Sequence, residues 1–98
     1  MDGELRDLIP DYLTHKRADA VAARAAAERG DFATIATLGH QMKGDGGSYG
    51  FARVSEIGVA LMDAARREDR DGARNLADAL ADYLTRVEVV FRSNGANP

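Results

Sequence analysis

Four stretches of this chain carry apolar residues at helical spacing, and the breaks between them are only a few residues long. Long amphipathic segments with short connections leave few folds open. From about Tyr12 to Arg29, the residues Tyr12, Leu13, Lys16, Ala20, Val21, Arg24 and Ala27 fall on related faces, with alanines filling much of the rest. The second stripe is Phe32, Ile35, Leu38 and Met42; the third is Val54, Ile57, Gly58, Leu61, Met62 and Ala65. The fourth is Leu76, Leu80, Tyr83, Leu84, Val87, Val90 and Phe91. No strand-like alternation with hairpin signals occurs. Helices joined by such short connections pack antiparallel to their neighbours, so the expected fold is an all-α, antiparallel up-down-up-down four-helix bundle.

The breaks have recognisable chemistry. Gly30 suits a helix stop, and Asp31 directly after it suits the N-cap of the second helix. Gly46-Gly47 is expected to end that helix, with Ser48-Tyr49-Gly50 as a turn. The third helix is expected from Phe51 or Ala52 to Glu68, and the fourth from Gly72 to Arg92 after a polar break at Asp69-Arg70-Asp71. Pro10 predicts either a short turn of helix ending near Ile9 or a main helix beginning at Pro10. Residues 93–98 have no periodicity and are expected to fray. The chain therefore reads as one domain over residues 1–98.

Composition excludes several functions. With 98 residues the chain can close one core. Its net charge is −3 and it has no dense Lys/Arg cluster, which argues against nucleic-acid binding. There is no cysteine and there are only two histidines, so neither a disulfide framework nor a self-contained metal centre is expected. No apolar run approaches the roughly 20 residues of a membrane span, and the start Met1-Asp2-Gly3-Glu4 lacks the order of a signal peptide. A cytoplasmic protein is the default expectation. No Walker-type or kinase-like glycine loop is present, so no nucleotide cofactor is expected.

One stretch departs from ordinary helix chemistry. Gly39, Gly44, Gly46 and Gly47 crowd around a single histidine, His40. Each interior glycine costs roughly 1 kcal/mol relative to alanine, a loss that a purely structural helix has no use for. At about 100° per residue, the second stripe centres near 290° when Phe32 is set at 0°. Gly39 and Gly46 fall on that inner side, where a small residue permits close packing. His40 falls about 150° away and should face solvent. Its neighbours one and two turns away are Ala36, Thr37, Lys43, Gly44 and Gly47, all small except Lys43. No second histidine or carboxylate lies at i+3 or i+4 to share a metal, and Asp45 falls on another face. No cysteine or nucleophile elbow is present for a hydrolase. A nucleophilic histidine needs less: exposure, neutrality and room for a large electrophile. An exposed imidazole is mainly neutral above pH 7. Gly44 and Gly47 leave room, and Lys43 offers an ammonium to an incoming phosphoryl group. Phosphoryl acceptance is favoured on these residues, with a solvated surface histidine as the alternative.

The run His40-Gln41-Met42-Lys43-Gly44, followed by Gly50-Phe51, resembles the signature of histidine-containing phosphotransfer (HPt) domains. That signature is His-x-x-Lys-Gly on the second helix of a four-helix bundle. The likeness extends to Leu8-Ile9-Pro10-Asp11-Tyr12-Leu13, to the Gly30-Asp31-Phe32 junction and to the third stripe, from about Leu5 to Phe91. The resemblance implies that His40 accepts a phosphoryl group on Nε2, that Lys43 stabilises it, and that Gly44 leaves room for a partner. Gln41 matches a variable position. Met42 stands where leucine is commoner, Gly39 where alanine is, and Asp45 where a small Ser or Ala is. The implied partners are a response-regulator receiver domain or a hybrid sensor kinase, docking over the first two helices. Gly44, Gly47, Ala36, Thr37, Gln41 and Ile9 are the expected contact residues. Mg²⁺ would belong to the partner, and the chain should be a monomer without kinase activity of its own. A docking module that is never phosphorylated, or the phosphoacceptor part of a larger chemotaxis-type kinase, are the alternatives.

Overall fold

In the computed structural model the chain forms α1 (Asp2–Glu28), α2 (Phe32–Tyr49), α3 (Ala52–Arg66) and α4 (Arg70–Ala96). The structure describes residues 2–96, with side chains over 9–90. No strand is present among the described residues.

The three connections share one solution. In each, the backbone N–H just past the helix reaches back five residues: Asp31 to the Ala26 carbonyl, Phe51 to Gly46 and Asp69 to Ala64. The residue before each of these has positive φ: Gly30 at 70°, Gly50 at 82° and Glu68 at 54°. This left-handed stop satisfies carbonyls that a helix end leaves orphaned. Two of the stops lead directly into a cap. The Asp31 carboxylate accepts from the Thr34 N–H at 3.2 Å and from its hydroxyl at 2.6 Å. The Asp69 carboxylate accepts from the Gly72 N–H at 2.9 Å. Stop and cap within three residues leave no slack, so consecutive helices must fold back on each other.

Contacts run in opposite directions along the pairs α1–α2, α1–α4 and α2–α3. Tyr12 stacks on Tyr49 while Lys16 meets Asp45; Arg17 pairs with Glu88 while Arg24 pairs with Asp78. Gly46 lies against Ser55, and Gly39 against Gly58 and Met62. The bundle is therefore antiparallel, as its periodicity predicts. Leu13, Ile35, Met42, Ile57, Leu61, Leu80 and Leu84 are buried at its centre.

Several boundaries differ from expectation, each for a physical reason. α1 runs through Pro10. That residue is on the exposed side of the helix, where water can replace the missing backbone bond. α2 does not end at Gly46-Gly47 but continues to Tyr49. Gly46 is buried against the α3 backbone, and this packing outweighs its poor propensity; Gly50, in the left-handed conformation, is the stop. α3 ends at Arg66 because Glu68 takes up the turn, and α4 starts at Arg70 because Asp69 caps it. α4 continues to Ala96, so residues 93–96 are helical rather than frayed, while 97–98 lie outside the described residues. Val21 is 70 % exposed and Arg24 is exposed, so neither joins the core. Val90, at 59 % exposure, does not either, and the Phe91 side chain lies outside the described residues.

The closest approach is between α2 and α3. A Cβ on Gly58 would lie 2.5 Å from the Gly39 carbonyl oxygen and 2.6 Å from the Lys43 nitrogen. A Cβ on Gly39 would lie 2.6 Å from the Gly58 oxygen, and one on Gly46 would lie 2.6 Å from the Ser55 nitrogen. The obstacle is backbone in every case, so a methyl group would push the two helices apart. Gly58→Ala should therefore destabilise the protein by about 1–3 kcal/mol, despite alanine's better helix propensity. Urea unfolding followed by far-UV circular dichroism checks it.

Candidate functional site

α2 presents two different edges. The edge against α3 is the glycine seam. The outward edge carries His40, which is exposed, as are Thr37, Gln41, Lys43, Gly44 and Gly47; Ala36 is half-buried. A Cβ built on Gly44 or Gly47 would meet nothing within 4 Å. The glycines thus divide as the helical wheel predicts, Gly39 and Gly46 inward, Gly44 and Gly47 outward beside His40. The Thr37 hydroxyl donates to the Ala33 carbonyl at 3.1 Å, which turns it onto its own helix.

The two lysines of the chain have opposite environments. Lys43 is exposed and has no salt-bridge partner among the described residues. Its carbonyl accepts from the Ser55 hydroxyl at 2.9 Å, so α3 fixes the backbone while the ammonium stays in solvent beside His40. Lys16 is 3 % exposed; its ammonium lies 2.5 Å from Asp45 and 2.8 Å from Asp19. The Tyr12 hydroxyl donates to the other Asp45 oxygen at 3.1 Å. The Tyr12 ring stacks on Tyr49, with centroids 4.2 Å apart, and on Phe51, at 5.5 Å.

Sequence reasoning missed this cluster, having set Asp45 aside as lying on another face. A signal was present. Lys16 falls on the apolar side of α1 between Leu13 and Ala20, and a charge there must find a partner. Ile9 does not join the site. It is half-buried against the core, beyond the Tyr12–Tyr49 contact, whereas His40 lies more than two turns before Tyr49, roughly 13 Å along α2. The side chain of its neighbour Leu8 lies outside the described residues. His15 is exposed and borders a groove with Asp11, Tyr12, Lys16, Asp45 and Tyr49. No group of acidic, histidine or cysteine residues able to hold a metal occurs among the described residues.

The cluster has a pH signature. Burial raises the Tyr12 phenol well above its ordinary value, and the Asp45 charge and hydrogen bond add to this. Burial pulls the Lys16 ammonium down, but its hydrogen bonds to Asp19 and Asp45 outweigh that pull, and the net direction is up. Both groups hold their protons more tightly folded than unfolded. Their contribution to stability is complete below about pH 10 and is lost as pH rises through the raised folded-state values. The urea midpoint should therefore hold steady up to about pH 10, the ordinary Tyr and Lys range, and fall as the pH rises beyond it. Asp45→Asn should flatten that fall.

Gly44 gives a second test. Its outward position offers no contact to lose, so Gly44→Ala should stabilise the fold by up to about 1 kcal/mol. If the space above it serves a partner, the same variant should accept phosphoryl groups from a protein donor more slowly. Thermal unfolding and a transfer assay on one preparation would check both.

The model of the Hpt-domain family matches residues 7–89. No curated protein and no solved structure matches the chain. Hpt domains are four-helix bundles that carry phosphoryl groups on histidine in two-component phosphorelays, exchanging them with receiver domains and kinases. No helix among the described residues is long and apolar enough to cross a membrane. The four helices, the exposed histidine and a match over most of the length agree: the chain belongs to the Hpt-domain family and has a general role in histidine phosphotransfer.

Proposed function

We propose that His40 is the phosphoacceptor, taking its phosphoryl group from a receiver-domain aspartate or a sensor kinase and passing it to a response regulator. One observation carries the reading. His40 is exposed with open space over Gly44 and Gly47, and the ammonium of Lys43, which has no salt-bridge partner among the described residues, stands one turn along the same helix. The Nε2 lone pair attacks phosphorus in line. The P–O bond to the aspartyl carboxylate breaks, the carboxylate leaves with the electron pair, and the Nδ1 proton stays on the ring. Lys43 offsets charge on the phosphoryl oxygens. Gly44 and Gly47 leave the approach open, and Ala36, Thr37 and Gln41 form the rim a partner would touch. The chain acts as a monomer, since four helices already close one core, and a cytoplasmic setting suits its partners.

Incubation with a labelled, phosphorylated receiver domain tests this. Wild type should take up label, and His40→Gln should take up none while keeping its far-UV helical signal. Failure of wild type to label with a panel of receivers would refute it. Lys43→Ala should slow transfer by about tenfold or more with little change in docking affinity, as expected for a group that acts on transition-state charge. Equal losses in rate and affinity would reduce Lys43 to a binding contact.

A further inference from the structure

The bundle is unevenly joined. α2 packs chiefly on α3 and α1 chiefly on α4, while the seam between α1 and α2 is thin. The second half of α2 has few side chains with which to grip α1, because Gly44, Gly46 and Gly47 carry none. Asp45 and Tyr49 reach α1 from there, meeting Lys16 and Tyr12. A buried lysine held by two carboxylates is a costly way to gain stability, and its better-attested use is to fix register between packed elements.

Register between these two helices matters to a protein donor. A helix is about 10–12 Å across, whereas a standard protein interface covers about 800 Å² on each partner. A folded donor centred on His40 must therefore rest on the neighbours of α2 as well. α3 is held to α2 by backbone contact at Gly39, Gly46 and Gly58; α1 is held by side chains. The groove lined by Asp11, His15, Lys16, Asp45 and Tyr49 opens on the α1 side of α2.

We propose that Asp45 is a positioning residue: with Lys16 and Tyr12 it clamps α1 to the glycine-rich half of α2, and so sets where a receiver domain resting on both helices meets His40. This rests on the reading of His40 as phosphoacceptor. Asp45 touches neither the imidazole nor the phosphoryl group. It acts by holding the second half of the docking surface in place.

Two donors of different size separate this role from simple stabilisation. Phosphoramidate is small and needs only an exposed imidazole: its P–N bond breaks, ammonia leaves and the Nε2–P bond forms. A phosphorylated receiver needs the surface too. In Asp45→Ala, transfer from the receiver should fall about tenfold or more, while labelling by phosphoramidate stays within about twofold of wild type. The double variant Lys16→Met with Asp45→Leu, which replaces the ion pair by an apolar contact, should recover much of the receiver rate. Wild-type transfer from the receiver in a folded Asp45→Ala would overturn the proposal. So would a parallel loss with both donors, which would make Asp45 a stabilising residue only. If Asp45→Ala does not fold, Asp45→Asn carries the same comparison. If wild type takes label from phosphoramidate but from no receiver, the phosphoacceptor reading itself fails, and that outcome is distinct from the others.

Discussion

The backbone contact between α2 and α3 is the constraint on which the rest depends. Gly39, Gly46 and Gly58 let the two helices approach until even one added methyl group would strike the facing backbone. That contact explains how a helix with four interior glycines survives to Tyr49. Propensity alone would end it several residues earlier, at a loss of roughly 1 kcal/mol per glycine. Close packing on one side supports the helix and leaves its other side free of structural duty. The free side holds His40, Lys43, Gly44 and Gly47, none of which is needed to close the core.

Support and exposure are thus divided between two edges of one helix. The Ser55 hydroxyl of α3 bonds the Lys43 carbonyl, tying α3 to the backbone of the site without occupying its surface. The opposite flank is tied down differently, by Lys16, Asp45 and Tyr12 and by the stack of Tyr12 on Tyr49 and Phe51. A surface that must present one nucleophile to a partner of fixed shape gains from both arrangements. Phosphoryl transfer is mostly positioning and charge stabilisation, with little covalent work left to the acceptor's own side chains.

Much of this was legible in the chain before any coordinates. The stripes led by Ile35, Ile57 and Leu80 announced helices, and Gly30-Asp31 announced a stop followed by a cap. The wheel put His40 outward and sorted its glycines correctly, because both judgements depend only on helical period. What periodicity could not supply was context. It stopped α2 early because the energy holding Gly46 in a helix comes from Ser55 on another element. It placed Val90 inside because the stripe of α4 is wider than the faces its neighbours cover. It also passed over Asp45, whose partners are 29 and 33 residues away along the chain. A charge such as Lys16 on an apolar stripe was the one clue that such a partner had to exist.

The central claim is that His40, and no other residue, carries the phosphoryl group. The direct measurement is to phosphorylate the wild-type protein with a cognate receiver, test the acid and base lability of the label, and map its position by mass spectrometry under alkaline conditions. An acid-labile, base-stable phosphate on His40 is the expected result. Label on His15, on a carboxylate, or on nothing at all would contradict it.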